Sequence, residues 1–256
     1  MAPITPAHEL FDLTGEVALV TGASSGLGAR FAAVLAAHGA KVVAAARRLE
    51  RLDALAATSP NILPLAMDVT DTTSLEVAMD QAQDIAGPLS LLVNNAGIAG
   101  SGRIVDTAEE DWRAVQHVNV DAVWHLSRAF AKRLIARKAP GAIINIASLV
   151  SFKVGISSAS YAISKAAVLH MTKAQAMEWA RHDIRVNAIC PGYIYSEMTD
   201  DYLDSAGGQE MIKRTPQRRA GDPSDLDGTL LLLASARASG FMTGSSILVD
   251  GGHALT

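Results

Sequence analysis

The sequence has 256 residues, 49% of them hydrophobic and 19% charged, with a net charge of −4; this suits one large α/β unit with a substantial core. The mild acidity and the lack of a basic block argue against a nucleic-acid or anionic-membrane partner, and no apolar run approaches the roughly 20 residues of a membrane helix. One cysteine, Cys190 in an apolar run, permits no internal disulfide and reads as an inert buried thiol; with a short, proline-broken N-terminus unlike a secretory signal, a cytoplasmic location is expected.

Residues 1–15 read as an irregular lead-in. Residues 16–21 form a short apolar strand bounded by Gly15 and Gly22. Gly22-x-x-x-Gly26-x-Gly28 follows, then an alanine-rich helix over 29–38 that ends at Gly39, a good residue just past a helix C-terminus. The pattern continues with a strand over 41–46, a helix over 49–57, a strand over 62–67 with Asp68 at its end, and an amphipathic helix over 75–86 stopped by Gly87-Pro88. A strand over 89–93 closes on Asn94-Asn95-Ala96-Gly97, and a long helical stretch covers about 108–138. Residues 142–147 are a fifth strand, 160–181 a helix and 184–190 a sixth strand. Residues 193–220 break the rhythm with polar, Gly-rich and basic pieces. A helix over 223–234, with Asp222 as candidate cap, and a strand over 246–249 finish the chain.

Alternating strands and helices predict a parallel, doubly wound α/β sheet of about seven strands with helices on both faces, in one domain spanning 1–256. Ligands in such sheets bind outside the carboxyl ends of the strands. Asp68, Asn94–Gly97, Ser148 and Pro191-Gly192 all fall at such ends. Gly22 allows a tight turn, and Gly26 lets backbone approach a pyrophosphate at a helix N-terminus, where free N–H groups and the dipole favour anions. The spacing differs from Gly-x-Gly-x-x-Gly, and a turn that merely joins two elements would look similar. About 20 residues on, where an NAD site places an acid on the ribose, the chain reads Ala44-Ala45-Ala46-Arg47-Arg48 with no acid before Glu50. A guanidinium suits the 2′-phosphate of NADP(H), although either arginine could simply start the next helix.

Tyr161 and Lys165 are four apart, hence one turn apart on a shared helix face, and Ser148 precedes the tyrosine by thirteen positions. An ammonium beside a phenol favours the phenolate, making the tyrosine a plausible proton carrier. His117 and His125 lie in the long helix without an acidic or cysteine partner at ligand spacing, so no metal site is expected, and no Gly-x-Ser-x-Gly hydrolase signature occurs.

These motifs together resemble those of the short-chain dehydrogenase/reductase family in its single-domain form, over about residues 13–252. The resemblance implies a Rossmann fold and an NAD(P)-dependent enzyme acting on CH–OH or C=O groups, with NADP(H) preferred and NAD(H) possible. It implies Asn119, Ser148, Tyr161 and Lys165 as the catalytic set: Tyr161 as general acid or base, Lys165 lowering its pKa and holding the nicotinamide ribose, Ser148 on the substrate oxygen, Asn119 holding a water near Lys165. Cofactor contacts are implied at Gly22, Ser24, Ser25, Gly26, Leu27, Gly28, Arg47, Arg48, Asp68, Val69, Asn95, Ala96, Gly97, Tyr161, Lys165, Pro191, Gly192 and Ile194. Ser196 stands where the family most often has a threonine touching the carboxamide. Assembly as a homotetramer, or a dimer, is also implied.

Residues 193–219 are expected to form a substrate lid, and Phe152, Val154 and Ile156 an apolar wall. The favoured substrate is a ketone or aldehyde, reduced reversibly to a secondary or primary alcohol. The basic residues Lys213, Arg214, Arg218 and Arg219 keep a 3-oxoacyl-thioester reductase in play, or form a solvated or intersubunit cluster. A non-catalytic nucleotide sensor is the remaining alternative.

Overall fold

The computed structural model describes residues 4–100 and 102–256. The chain enters through a short helix, α1 (Ala7–Leu10), in what reads from sequence as irregular lead-in. It then alternates β1 (Val17–Thr21), α2 (Gly26–Ala37), β2 (Lys41–Ala46), α3 (Leu49–Ala56), β3 (Ile62–Ala66), α4 (Leu75–Ala86) and β4 (Leu91–Asn94). Next come α5 (Glu109–Gln116), α6 (Ala122–Arg137), β5 (Gly141–Ile146), α7 (Ala159–Trp179) and β6 (Ile184–Pro191). Helices α8 (Asp200–Asp204), α9 (Ala206–Arg214), α10 (Asp227–Ala234) and α11 (Ala236–Ser239) precede β7 (Ser246–Val249).

The seven strands form one sheet in the order β3-β2-β1-β4-β5-β6-β7, every neighbouring pair parallel. Strand side chains alternate between faces. Ala18 and Val20 of β1, with Val42 and Ala44 of β2, pack beneath Phe31 and Leu35 of α2 and Leu230 and Leu233 of α10. Leu19 and Val43 point the other way, toward Met79 of α4 and Leu126 and Phe130 of α6. Both faces being covered explains the nearly unbroken apolar strands. Strand order reverses between β1 and β4, and the crevice beyond their carboxyl ends is where such folds accept a ligand.

Two expectations need correction. The long helical stretch is interrupted by a π-helical turn, His117–Asp121, between α5 and α6. Half of the irregular excursion 193–220 is helical, as α8 and α9, because packing between the two helices and the Ser205 cap on Gly208 N outweigh low local propensity at Gly207-Gly208. A Cβ at Gly208 would come within 2.0 Å of the Tyr202 carbonyl oxygen, so α8 and α9 pack backbone against backbone there. Asp222 does cap its helical segment, accepting from Ser224 N at 2.8 Å while the Asp225 carboxylate accepts from Asp222 N at 2.8 Å.

Arg185 of β6 is 9% exposed, and its guanidinium donates to Leu233 O at 3.0 Å, Ala234 O at 3.2 Å and Ser239 Oγ at 2.9 Å. It thereby satisfies carbonyls at the end of α10 that the helix itself leaves open. Burial pushes its pKa down, and the Glu16 charge partly offsets this. Arg185→Met should destabilise the fold by about 3 kcal/mol, since each buried carbonyl left open costs about 1–3 kcal/mol; urea denaturation measures it, and a change below 1 kcal/mol would count against this capping role.

Candidate active site

A cleft of about 600 Å³ opens over the carboxyl ends of β1, β4 and β5. The glycine turn forms one wall. Gly22 has φ +67°, and a Cβ there would lie 2.9 Å from Ala96 Cα; at Gly28 it would lie 2.3 Å from Gly22 O. No side chain fits at either position, so the N-terminus of α2 comes directly to the cleft. Ser24, Ser25, Gly26 and Leu27 line it between them. Thr21 Oγ1 accepts from Asn95 N and Ala96 N, each at 3.1 Å, and Asn95 Nδ2 donates to Thr21 O at 2.9 Å. These bonds hold Asn95, Ala96 and Gly97 along the floor.

Asp68, Val69, Arg47 and Arg48 line the other end. Asp68 accepts from Thr70 N at 2.9 Å and Thr70 Oγ1 at 2.7 Å, which holds its carboxyl below the usual range; burial opposes and the Arg47 charge assists. Arg48 heads α3, yet its guanidinium turns back to Ser24 Oγ at 3.0 Å and Ser25 Oγ at 2.9 Å. An acid also reaches this end from far along the chain: Glu197 pairs with Arg51 at 2.6 Å and with Arg48 at 3.6 Å. No local signal announces it, since the partners are 146 positions apart.

At the opposite end, Ser148, Tyr161 and Lys165 meet in the cleft with Pro191, Gly192, Ile194 and Ser196. Ser148 also works as a turn cap, accepting from Val150 N at 3.3 Å. Lys165 is 5% exposed; its Nζ donates to Ile146 O at 2.9 Å and sits 5.6 Å from the Tyr161 ring centroid. Ser196 N donates to Asp200 Oδ1 at 2.8 Å and Ser196 Oγ contacts Thr199 Oγ1 at 3.0 Å, tying it to the start of α8. Asn119 does not line the cleft. It lies fully buried in the π-turn behind it, donating to Ile98 O and Ser164 Oγ, each at 3.0 Å, and accepting from Ile98 N at 2.9 Å. A Cβ at Gly97 would lie 3.3 Å from Asn119 Oδ1 and 3.4 Å from Lys165 Nζ, so both groups converge on that glycine.

The electrostatics differ from expectation in one respect. Burial raises the Tyr161 pKa, with the Ser148 hydroxyl opposing, whereas the lysine was expected to lower it. Burial in turn pulls Lys165 down to about 8, and the Cys190 thiol beside it is pushed up to about 12, as suits an inert group. For both site groups, removal from water is the dominant cause.

Other expectations are not realised. Phe152, Val154 and Ile156 stay exposed and outside the cleft lining. Residues 213–219 do not reach it either: Arg219 pairs with Asp225 at 2.6 Å, Arg218 donates to Lys213 O, and Lys213 approaches Glu210 at 3.8 Å. His117 does have an acidic neighbour, Asp121 at 3.3 Å, and also bonds Thr70 O at 2.9 Å. Among the described residues no group of three or more His, Cys, Asp or Glu side chains could hold a metal, and no helix is long and apolar enough to cross a membrane.

A dinucleotide fits this cleft: a glycine-walled helix N-terminus for the pyrophosphate, arginines at one end and a proton-bearing pair at the other. Lys165, with its pKa lowered in the folded state, holds fewer protons than in the unfolded chain between pH 8 and its ordinary value of 10.5. Stability relative to Lys165→Met should therefore rise from pH 8 to pH 10, by roughly 2–3 kcal/mol. Ligand-free denaturation curves across that range test this; a flat or falling difference would refute it.

A family model described as "Enoyl-(Acyl carrier protein) reductase" matches residues 22–254. The chain is 39% identical over 245 residues to 2-dehydro-3-deoxy-D-gluconate 5-dehydrogenase of Escherichia coli (strain K12), covering 94% of this chain and 96% of the relative. It is 37% identical to gluconate 5-dehydrogenase of Gluconobacter oxydans (strain 621H), covering 95% and 96%. The crystal structure of a gluconate 5-dehydrogenase from Burkholderia cenocepacia J2315, in complex with NADP and tartrate, superposes with a TM-score of 0.93 at 35% identity, covering 98% of this chain and all of that one. Agreement of sequence and fold over nearly the whole length shows that this chain belongs to the short-chain dehydrogenase/reductase family, NAD(P)-dependent oxidoreductases acting on hydroxyl and keto groups.

Proposed function

We propose that the protein is an NADP(H)-dependent oxidoreductase that interconverts a secondary alcohol and a ketone on a polyhydroxylated substrate, a sugar acid or polyol. The observation that carries the chemistry is the meeting of Ser148, Tyr161 and Lys165 at one end of a cleft whose other end holds Arg47, Arg48 and Ser24. The substrate class rests on the gluconate-type dehydrogenases to which the chain is similar. NADP(H) is favoured by the two arginines, whose forked donors match a phosphate, and by the NADP bound in the Burkholderia relative.

The nicotinamide supplies or accepts the hydride when bound. Tyr161 gives its phenolic proton to the substrate oxygen in reduction and takes one in oxidation. Its raised pKa keeps that proton in place at neutral pH, ready for the reductive direction. Ser148 donates to the same oxygen and steadies developing negative charge. Lys165, fixed by Ile146 O, presents its ammonium beside the phenol and favours the phenolate left behind. Asn119 holds Ile98 and Ser164 in place and, in this reading, helps position a water near Lys165 that carries the protons. Residues 193–219 act as the lid. Exposed Phe241 and Leu248 of the β7 region supply apolar surface for assembly of identical chains.

The 3-oxoacyl-thioester alternative loses its main support, because Lys213, Arg214, Arg218 and Arg219 lie outside the cleft lining, with Lys213 near Glu210, Arg218 on the Lys213 carbonyl and Arg219 on Asp225. Turnover assayed with sugar acids, polyols, simple ketones and acetoacetyl-CoA, each with NADP(H) and NAD(H), separates the readings. Preferential oxidation of a sugar acid or polyol with NADP+ is expected; reduction of acetoacetyl-CoA alone would restore the thioester reading, and tight NADPH binding without turnover on any of them would favour a sensor. Tyr161→Phe should retain NADPH binding and lose about 10²–10⁴-fold in kcat, the range of a lost general acid. Unchanged kcat would remove Tyr161 from the chemistry.

A further inference from the structure

The arginine end of the cleft contains a carboxylate that has no place in phosphate recognition. Glu197 follows Ser196 at the start of the 193–219 segment and reaches across to the first turn of α3. One carboxylate oxygen meets Arg51 Nη1 at 2.6 Å and the other lies 3.6 Å from Arg48 Nη1. Arg48 at the same time grips Ser24 and Ser25 of the glycine turn. A Cβ at Gly26 would lie 3.5 Å from Ser196 Cβ, so this segment crosses close over the turn. The hydrogen bond from Arg51 chiefly, then its charge, the Ser25 hydroxyl and the Arg48 charge, hold the Glu197 carboxyl below its usual range. All three charged side chains are more than two-fifths exposed, which makes the pairing readily exchangeable.

We propose that Glu197 is an internal competitor for the 2′-phosphate of NADP(H): its carboxylate occupies Arg48 and Arg51, and the phosphate displaces it. This rests on the NADP(H) reading above. A 2′-phosphate carries up to two negative charges and three acceptor oxygens. It suits the Arg48 fork and the Ser24 and Ser25 hydroxyls better than one carboxylate does, and it repels that carboxylate at short range. Two consequences follow for this chain. Glu197 lowers selectivity for the phosphorylated cofactor by holding the arginines against it. It also ties the start of the lid to α3, so a cofactor bearing the 2′-phosphate unlatches that corner of the lid whereas NAD(H) leaves the latch closed. A ligand moves such an equilibrium only through its unequal affinity for the two states, and the 2′-phosphate alone supplies that inequality.

The probes are 2′,5′-ADP and 5′-AMP, which share the adenosine end, lack nicotinamide and differ at the 2′ position. Calorimetry on wild type and Glu197→Gln should show 2′,5′-ADP binding about twofold to fivefold tighter to the variant, the scale of one partly exposed charge pair. Binding of 5′-AMP should change by less than twofold. Backbone amide exchange over residues 195–204 should accelerate in wild type on saturation with 2′,5′-ADP but not with 5′-AMP, and should already be fast in free Glu197→Gln. If the variant binds 2′,5′-ADP no more tightly than wild type, or exchange at 195–204 does not respond, the competition is refuted while the cofactor reading stands. If wild type binds 2′,5′-ADP no better than 5′-AMP, the NADP(H) reading itself falls, and the competition with it.

Discussion

The structure depends on how β1 and β4 are joined where strand order reverses. Beyond Thr21 and Asn94 the strands have no further ladder to share, and the chain leaves in two directions. Thr21 and Asn95 bridge the gap with side chains, the threonine hydroxyl accepting two backbone N–H groups and donating to Val93 O at 3.3 Å. The amide that makes this bridge also sets the limits of what stands above it. A Cβ at Gly28 would meet Asn95 Nδ2 at 2.5 Å, so α2 settles onto the sheet only because that residue is glycine. The depth of the cleft, the exposure of the α2 N-terminus and the closeness of Ala96 to Gly22 all follow from one polar tie and two missing side chains.

A second set of directional contacts fixes the helix bearing Tyr161 and Lys165. Asn94 Nδ2 donates to Ser127 Oγ at 2.9 Å and Asn145 Oδ1 at 2.8 Å, and Asn145 Nδ2 donates to Thr172 Oγ1 at 2.9 Å. This buried chain of amides and hydroxyls links β4 and β5 to α6 and α7. Apolar packing alone tolerates small rotations of a helix; hydrogen bonds in a low-dielectric core do not. Nearer the cleft, Gln116 Nε2 donates to Ser160 O at 3.2 Å and Ser164 Oγ donates to Tyr161 O at 2.7 Å, adding a hold at the start of the same helix.

The sheet was legible because apolar runs separated by amphipathic stretches permit few arrangements, and the bounds of α4 and β7 agree with the sequence reading to the residue. The glycine turn and the Ser148, Tyr161 and Lys165 placement were legible for the same reason: each falls at a strand end or one helical turn from a partner. What could not be read depends on distance along the chain. Glu197 acquires its meaning from Arg48 and Arg51, far back along the chain, whereas α8 and α9 meet through a short-range backbone contact at Gly208 that polar, glycine-rich composition conceals. The direction of the Tyr161 shift was missed because adjacency reveals a charge but not how dry its surroundings are.

The π-turn at His117–Asp121 amounts to one surplus residue inside an otherwise continuous helix from Glu109 to Arg137. Such a turn is held open by what its side chains grip, here Asn119 on both backbone groups of Ile98. Shortening the chain by one residue at this point would restore regular helical bonding and turn α5 by about 100° relative to α6. Asn119 would then swing away from Ile98 and Ser164. The helix is therefore kept one residue longer than its own hydrogen bonding requires, and local chain length, rather than residue type alone, sets where that amide stands.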